Sequence, residues 1–158
     1  MPAREPSVVE FHEQRRSAVV DRMVGMAAAG SGWINLSPGL DVDVPPPTRT
    51  GLAALLGSRG PTVPLGTWSA ARGREPATVG VHHGEGPKGL ALLADRGVEL
   101  PEGWRRLQDH PKRGLVLVPL PASTADEFDV VLDWVLRATG ALCPVRRTGE
   151  WRAYCYGP

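Results

Sequence analysis

Thr78-Val79-Gly80-Val81-His82-His83-Gly84-Glu85-Gly86-Pro87-Lys88-Gly89 is the stretch on which the reading of this chain turns. Residues 78–83 have the β-branched content of a strand. Gly84–Gly89 is a loop, and Pro87 suits the first turn of a helix over Lys88–Arg96 that Gly97 closes. Downstream, Trp104–Gln108 and Leu115–Leu120 read as a hairpin around Asp109–Gly114. The unbroken apolar run Leu115-Val116-Leu117-Val118 suits a central strand. Thr124 and Glu127 form a capping box that opens a helix to Thr139, closed by Gly140. Leu142–Arg146 and Trp151–Tyr156 read as a closing hairpin around Thr148-Gly149.

Residues 78–146 thus run strand, helix, strand, strand, helix, strand. That order predicts an α+β fold with a ferredoxin-like split βαβ core, an antiparallel sheet carrying two helices. Strand 115–120 should separate the parallel strands 78–83 and 104–108, whose crossover is right-handed. Extra strands, among them Thr67–Ala71 and Trp33–Leu36, extend the sheet. Ser7 and Glu10 read as a second capping box, opening an N-terminal helix over Val8–Ala29 that ends at Gly30-Ser31-Gly32. Val8, Val19, Met23 and Met26 share one face of that helix, with His12 close by.

A chain of 158 residues predicts a single domain over 1–158: a helix in 1–32, a lid-like loop in 37–64 and an α+β core in 67–158. The loop holds Val44-Pro45-Pro46-Pro47-Thr48, an extended run, and Leu52–Leu56, one or two helical turns. Glycine (19) and proline (16) make up about a fifth of the chain, which implies many turns but not low complexity. Sixteen arginines against Lys88 and Lys112 point to a high-GC bacterial genome. A formal charge of +1 argues against nucleic acid as a partner. No leader or membrane-spanning stretch is visible, so a cytoplasmic location is expected, with Cys143 and Cys155 as reduced thiols.

Catalytic signatures are weak. Gly84–Gly89 matches Gly-x-Gly-x-x-Gly between a strand and a helix. The helix is short, however, the next strand returns by a hairpin, and Glu85 opposes a pyrophosphate, so no cofactor is expected. The His and Cys spacing fits no metal motif, and no nucleophile elbow occurs. His82 and His83 should point to opposite faces of the sheet.

The predicted topology gathers His82 or His83, the Gly84–Gly89 loop, Asp109, His110, Lys112 and Arg113 at one sheet edge. Three readings of that edge are open: a solvated turn, a small-anion site using Gly84, Gly86, Lys88, Lys112 and Arg113, or an acid–base site using His83, Asp109 and His110. The leading functional expectation is a non-catalytic ligand-binding or protein-interaction module. A small hydrolase or lyase is the alternative. Val130 and Trp134 extend the apolar arc of the second helix, which suggests a homodimer patch.

Overall fold

The computed structural model describes residues 4–41 and 61–158. Its strands are β1 (Ser7–His12), β2 (Trp33–Leu40), β3 (Leu65–Ser69), β4 (Thr78–His82), β5 (Arg105–His110), β6 (Gly114–Val118) and β7 (Arg147–Tyr156). They form one sheet in the order β1-β7-β2-β3-β4-β6-β5. Every neighbouring pair is antiparallel. The described helices are α1 (Ser17–Ala29), α2 (Gly89–Asp95) and α3 (Ala125–Ala141). None is long and apolar enough to cross a membrane.

The core lies on one face of the sheet. Ile34, Leu36, Trp68, Val79, Val81, Leu115, Leu117, Trp151 and Ala153 are buried against Val19, Met23 and Met26 of α1, Leu93 of α2, and Phe128, Val131, Leu132 and Val135 of α3. Each fully buried Val, Leu, Ile, Phe or Met side chain among them contributes about 1.5–3 kcal/mol. Alternation turns the intervening residues to the other face. Val8, Tyr154, Asn35, Thr67, Gly80, Val116 and Gln108 lie in register as one row across all seven strands.

Residues 78–118 follow the expected order, with β6 between β4 and β5. The place on the other side of β4 is held by β3, not by a strand that follows the last helix. Residues 142–146 form no strand, and the single ten-residue strand β7 replaces the expected closing hairpin. The α3 capping box is present: the Glu127 amide donates to Thr124 Oγ1 at 3.3 Å, and Glu127 Oε2 accepts from the Thr124 amide at 3.0 Å. Gly140 does not end α3. Its missing side chain makes room for Arg147, because a β-carbon there would lie 2.6 Å from Arg147 Cζ.

The N-terminal helix is shorter than expected. Ser7–His12 is a strand, paired with β7 from Ser7 opposite Cys155 to His12 opposite Glu150. β-Branched Val8 and Val9 suit a strand, and Phe11 enters the core. Helix α1 starts only at Ser17, after a turn in which the Arg15 amide donates to the His12 carbonyl at 2.8 Å. Val19, Met23 and Met26 keep their core role, whereas Val8 is 50% exposed. β2 likewise runs on through Ser37-Pro38-Gly39 to Leu40. Gly39 allows the passage, since a β-carbon there would lie 2.6 Å from the Glu150 carbonyl oxygen on β7. Of the 37–64 loop, residues 42–60, including 44–48 and Leu52–Leu56, lie outside the described residues.

Candidate functional site

The end of β4 divides its two histidines between the faces of the sheet. His82 is exposed on the open face, and His83 is wholly buried on the helix side. His82 Nε2 donates to the Lys112 carbonyl at 2.8 Å, which ties β4 to the β5–β6 hairpin. A carbonyl only accepts, so Nε2 carries the proton.

Behind the sheet, Asp109 turns its carboxylate onto the start of α2. Oδ1 accepts from the Gly89 amide at 2.8 Å and Oδ2 from the Leu90 amide at 3.1 Å. These are charge-assisted bonds to amides that a helix leaves unpaired. His83 Nδ1 accepts from the Glu85 amide at 3.3 Å, so the ring is neutral with its proton on Nε2. That Nε2 is buried and has no hydrogen-bond partner. Nε2 of His83 and Oδ1 of Asp109 both lie within 3.2 Å of the point a β-carbon on Gly89 would occupy. Burial lowers the His83 pKa below its ordinary 6.5, against the pull of Asp109 and Glu85 towards the charged form.

The acid–base set therefore converges only in part. His83 and Asp109 meet at Gly89, but both Asp109 oxygens are engaged by α2 and His83 is sealed from solvent. His110 serves the hairpin, its Nδ1 accepting from the amides of Lys112 at 3.1 Å and Arg113 at 3.2 Å. Among the described residues, no three His, Cys, Asp or Glu side chains converge to hold a metal ion.

The anion set divides as well. Gly86 is buried in a turn with φ 97°, and Lys88 precedes α2 with φ 61°. Gly84 and Gly86 do not frame a vacant anion position at α2, because the chain's own Asp109 carboxylate takes the Gly89 and Leu90 amides. Lys112 and Arg113 are exposed at the hairpin tip, on the side of His82. The expected interface pair separates too: Val130 is 64% exposed, but Trp134 is 2% exposed and thus unavailable to a partner. Its Nε1 donates to the Glu99 carbonyl at 2.9 Å, and its ring lies 5.2 Å from that of Trp104.

What the sequence reading missed is a cleft of about 230 Å³ on the open face. Thr67 on β3, Gly80 on β4 and Val116 on β6 lie side by side in register. Gly80 contributes no side chain, so the row dips there. Thr78, His82 and Arg113 complete the polar wall, and among the described residues no acidic side chain lines it. The signal was a glycine set between valines within a strand, which marks a close approach or a gap. Its neighbours depend on strand register and were not readable locally.

No protein-family model, no curated protein and no solved structure matches this chain.

Proposed function

We propose that this chain is a non-catalytic binding module that takes a small anion, or the anionic group of a larger partner, in the Gly80 cleft. The observation that carries this reading is the lining: among the described residues, a guanidinium, an imidazole and two threonine hydroxyls surround the cleft and no carboxylate does. Arg113 supplies a planar fork suited to carboxylate or phosphate. Thr78 offers a rotatable hydroxyl donor, and Thr67, whose single hydroxyl proton is given to Asn35 Oδ1 at 3.3 Å, becomes a donor to an anion only by releasing that bond. Lys112 beside them adds positive field at the rim. The acid–base alternative draws support from the approach of His83 to Asp109 and loses it to the burial of His83.

A ferredoxin-like relationship for residues 67–158 belongs to the same proposal. It is supported by the β4–β6–β5 order, with α2 linking β4 to β5.

Titration of the protein with inorganic phosphate and with succinate at low ionic strength, followed by backbone and imidazole NMR, tests the function. Saturable shifts at Thr67, Gly80, His82 and Arg113, weakened at least tenfold by Arg113→Ala, are expected. Linear shifts, or shifts indifferent to Arg113→Ala, overturn the reading.

A further inference from the structure

At the far end of the core from the hairpin, a second cleft of about 280 Å³ has a different chemistry. Its lining is Ala27, Trp68, Ala71, Pro76, Ala77, Val118, Pro119, Leu120, Pro121, Ala122, Phe128 and Val131, which includes no charged and no hydroxyl side chain. Trp68 and Phe128, packed edge to face with ring centroids 5.9 Å apart, are both buried, as are Val118 and Val131. Four alanines, from α1, the β3–β4 turn and the 119–122 segment, leave the space open. Three prolines remove three backbone N–H donors from the wall. Water held there finds few partners, and an apolar cavity of only about 150 Å³ is large enough to bind benzene.

The walls are built before anything binds. Ala71, Pro76 and Ala77 flank a turn closed by reciprocal backbone bonds, Arg72 to Glu75 at 3.0 Å and Glu75 to Arg72 at 2.9 Å. The 119–122 segment is held by β6 at one end and by the α3 capping box at the other, where the Ser123 amide donates to Glu127 Oε2 at 2.7 Å. Preformed, concave and apolar is the description of a small-molecule site.

We infer that this cleft is a binding site for a small, uncharged ring molecule, aromatic or alicyclic, of one or two rings. The volume sets the size. The lack of any charged lining side chain among the described residues sets the class, because an ion buried there would find no counter-charge. The aromatic pair at the floor favours a ring that can meet it edge-on or offset. The site stands apart from the Gly80 cleft and does not rest on the function proposed for it.

The test is a methyl-resolved NMR titration of the whole chain with toluene, and with benzoate as its charged counterpart. Toluene should shift the methyls of Ala27, Ala77, Ala122, Val118, Leu120 and Val131 saturably, with benzoate at least tenfold weaker. Ala77→Leu or Ala122→Leu, each filling the cleft, should weaken toluene binding at least tenfold. Two positions are used so that one misfolded variant does not decide the matter. Arg113→Ala should leave toluene binding unchanged. The inference is overturned if the shifts fail to saturate, if benzoate binds as well as toluene, or if both folded fillers leave binding intact. It is equally overturned if the same methyls shift with protein concentration alone while sedimentation shows a doubled mass. A second copy of the chain would then be the occupant.

Discussion

The Asp109 carboxylate on edge strand β5 accepts the Gly89 amide at 2.8 Å, joining the last strand of the sheet to the first turn of α2. A second bond from the Leu90 amide at 3.1 Å makes the contact bidentate. The N-terminus of α2 has no side-chain cap from its own N-cap residue Lys88, so the cap comes from twenty residues further along the chain. Asp109→Ala removes both bonds and leaves two partly buried amides unpaired. A loss of about 2–3 kcal/mol is expected, measured by urea unfolding. Asp109→Asn keeps an acceptor but sets an amide group against an N–H, and should cost about 1–2 kcal/mol. A change below the error of the measurement for both variants would show that the cap does not hold α2.

Gly84–Gly89 and Asp109 were both marked by turn chemistry, and the predicted order of residues 78–118 placed them at one sheet edge. Local sequence does not carry the relation between them: the anion that the helix start receives is the chain's own Asp109 carboxylate, a pairing set by the fold. The α3 capping box at Thr124 and Glu127 was readable because both its partners lie within four residues. The apparent box at Ser7 and Glu10 misled for the opposite reason. Ten-residue β7 offers Phe11 and its neighbours a pairing partner more than 130 residues away, and that non-local demand overrides the local pattern. The two clefts were hidden in the same way, since each is assembled from segments brought together only by the folded sheet.

Gly89 itself is constrained by what stands beside it. A β-carbon there would lie 2.9 Å from His83 Nε2 and 3.2 Å from Asp109 Oδ1, both buried or partly buried polar atoms. Gly89→Ala should destabilise the fold by about 1–3 kcal/mol, as overpacking does. Gly25, on the exposed side of α1, would meet nothing within 4 Å. Gly25→Ala should therefore stabilise by about 0.5–1 kcal/mol, through helix propensity alone. Thermal melts of the two variants should move in opposite directions, and a shift of the same sign in both would contradict the crowding at Gly89.

Burial of His83 gives the stability a pH dependence whose sign can be worked out. The folded-state pKa is lowered from 6.5, so the unfolded chain takes up the proton first as pH falls. The stabilising contribution of neutral His83 is complete above the unfolded value of about 6.5 and declines below it, through the folded-state value. His83→Gln, which keeps a side-chain acceptor for the Glu85 amide and carries no titrating group, should be less stable than the parent at pH 8. The gap between the two should narrow as the pH drops from 7 to 5, in parallel urea titrations. A gap that stays constant over that range would remove His83 as the source.

Arg16 ties α1 to α3. Its Nε and Nη2 donate to Asp129 Oδ1 and Oδ2 at 2.7 and 2.9 Å, and Nη1 donates to the Glu13 carbonyl at 2.8 Å and lies 3.2 Å from Asp133 Oδ1. The hydrogen bond from Arg16 holds the Asp129 carboxyl below its ordinary range, and the same bond raises the Arg16 pKa. Asp129 therefore adds stability that is present above the unfolded carboxylate value of about 3.8 and is lost as pH falls through the lower folded-state value. Asp129 is 42% exposed, so solvent screens the pair. A double-mutant cycle with Arg16→Ala and Asp129→Ala should give a coupling of about 0.5–1 kcal/mol at low salt, shrinking in 1 M sodium chloride. Arg16→Lys should recover less than half of it, because a lysine ammonium cannot reproduce the two-pronged contact. A coupling near zero at low salt would mean that the buried apolar faces of the two helices, not this ion pair, set how α1 lies on α3.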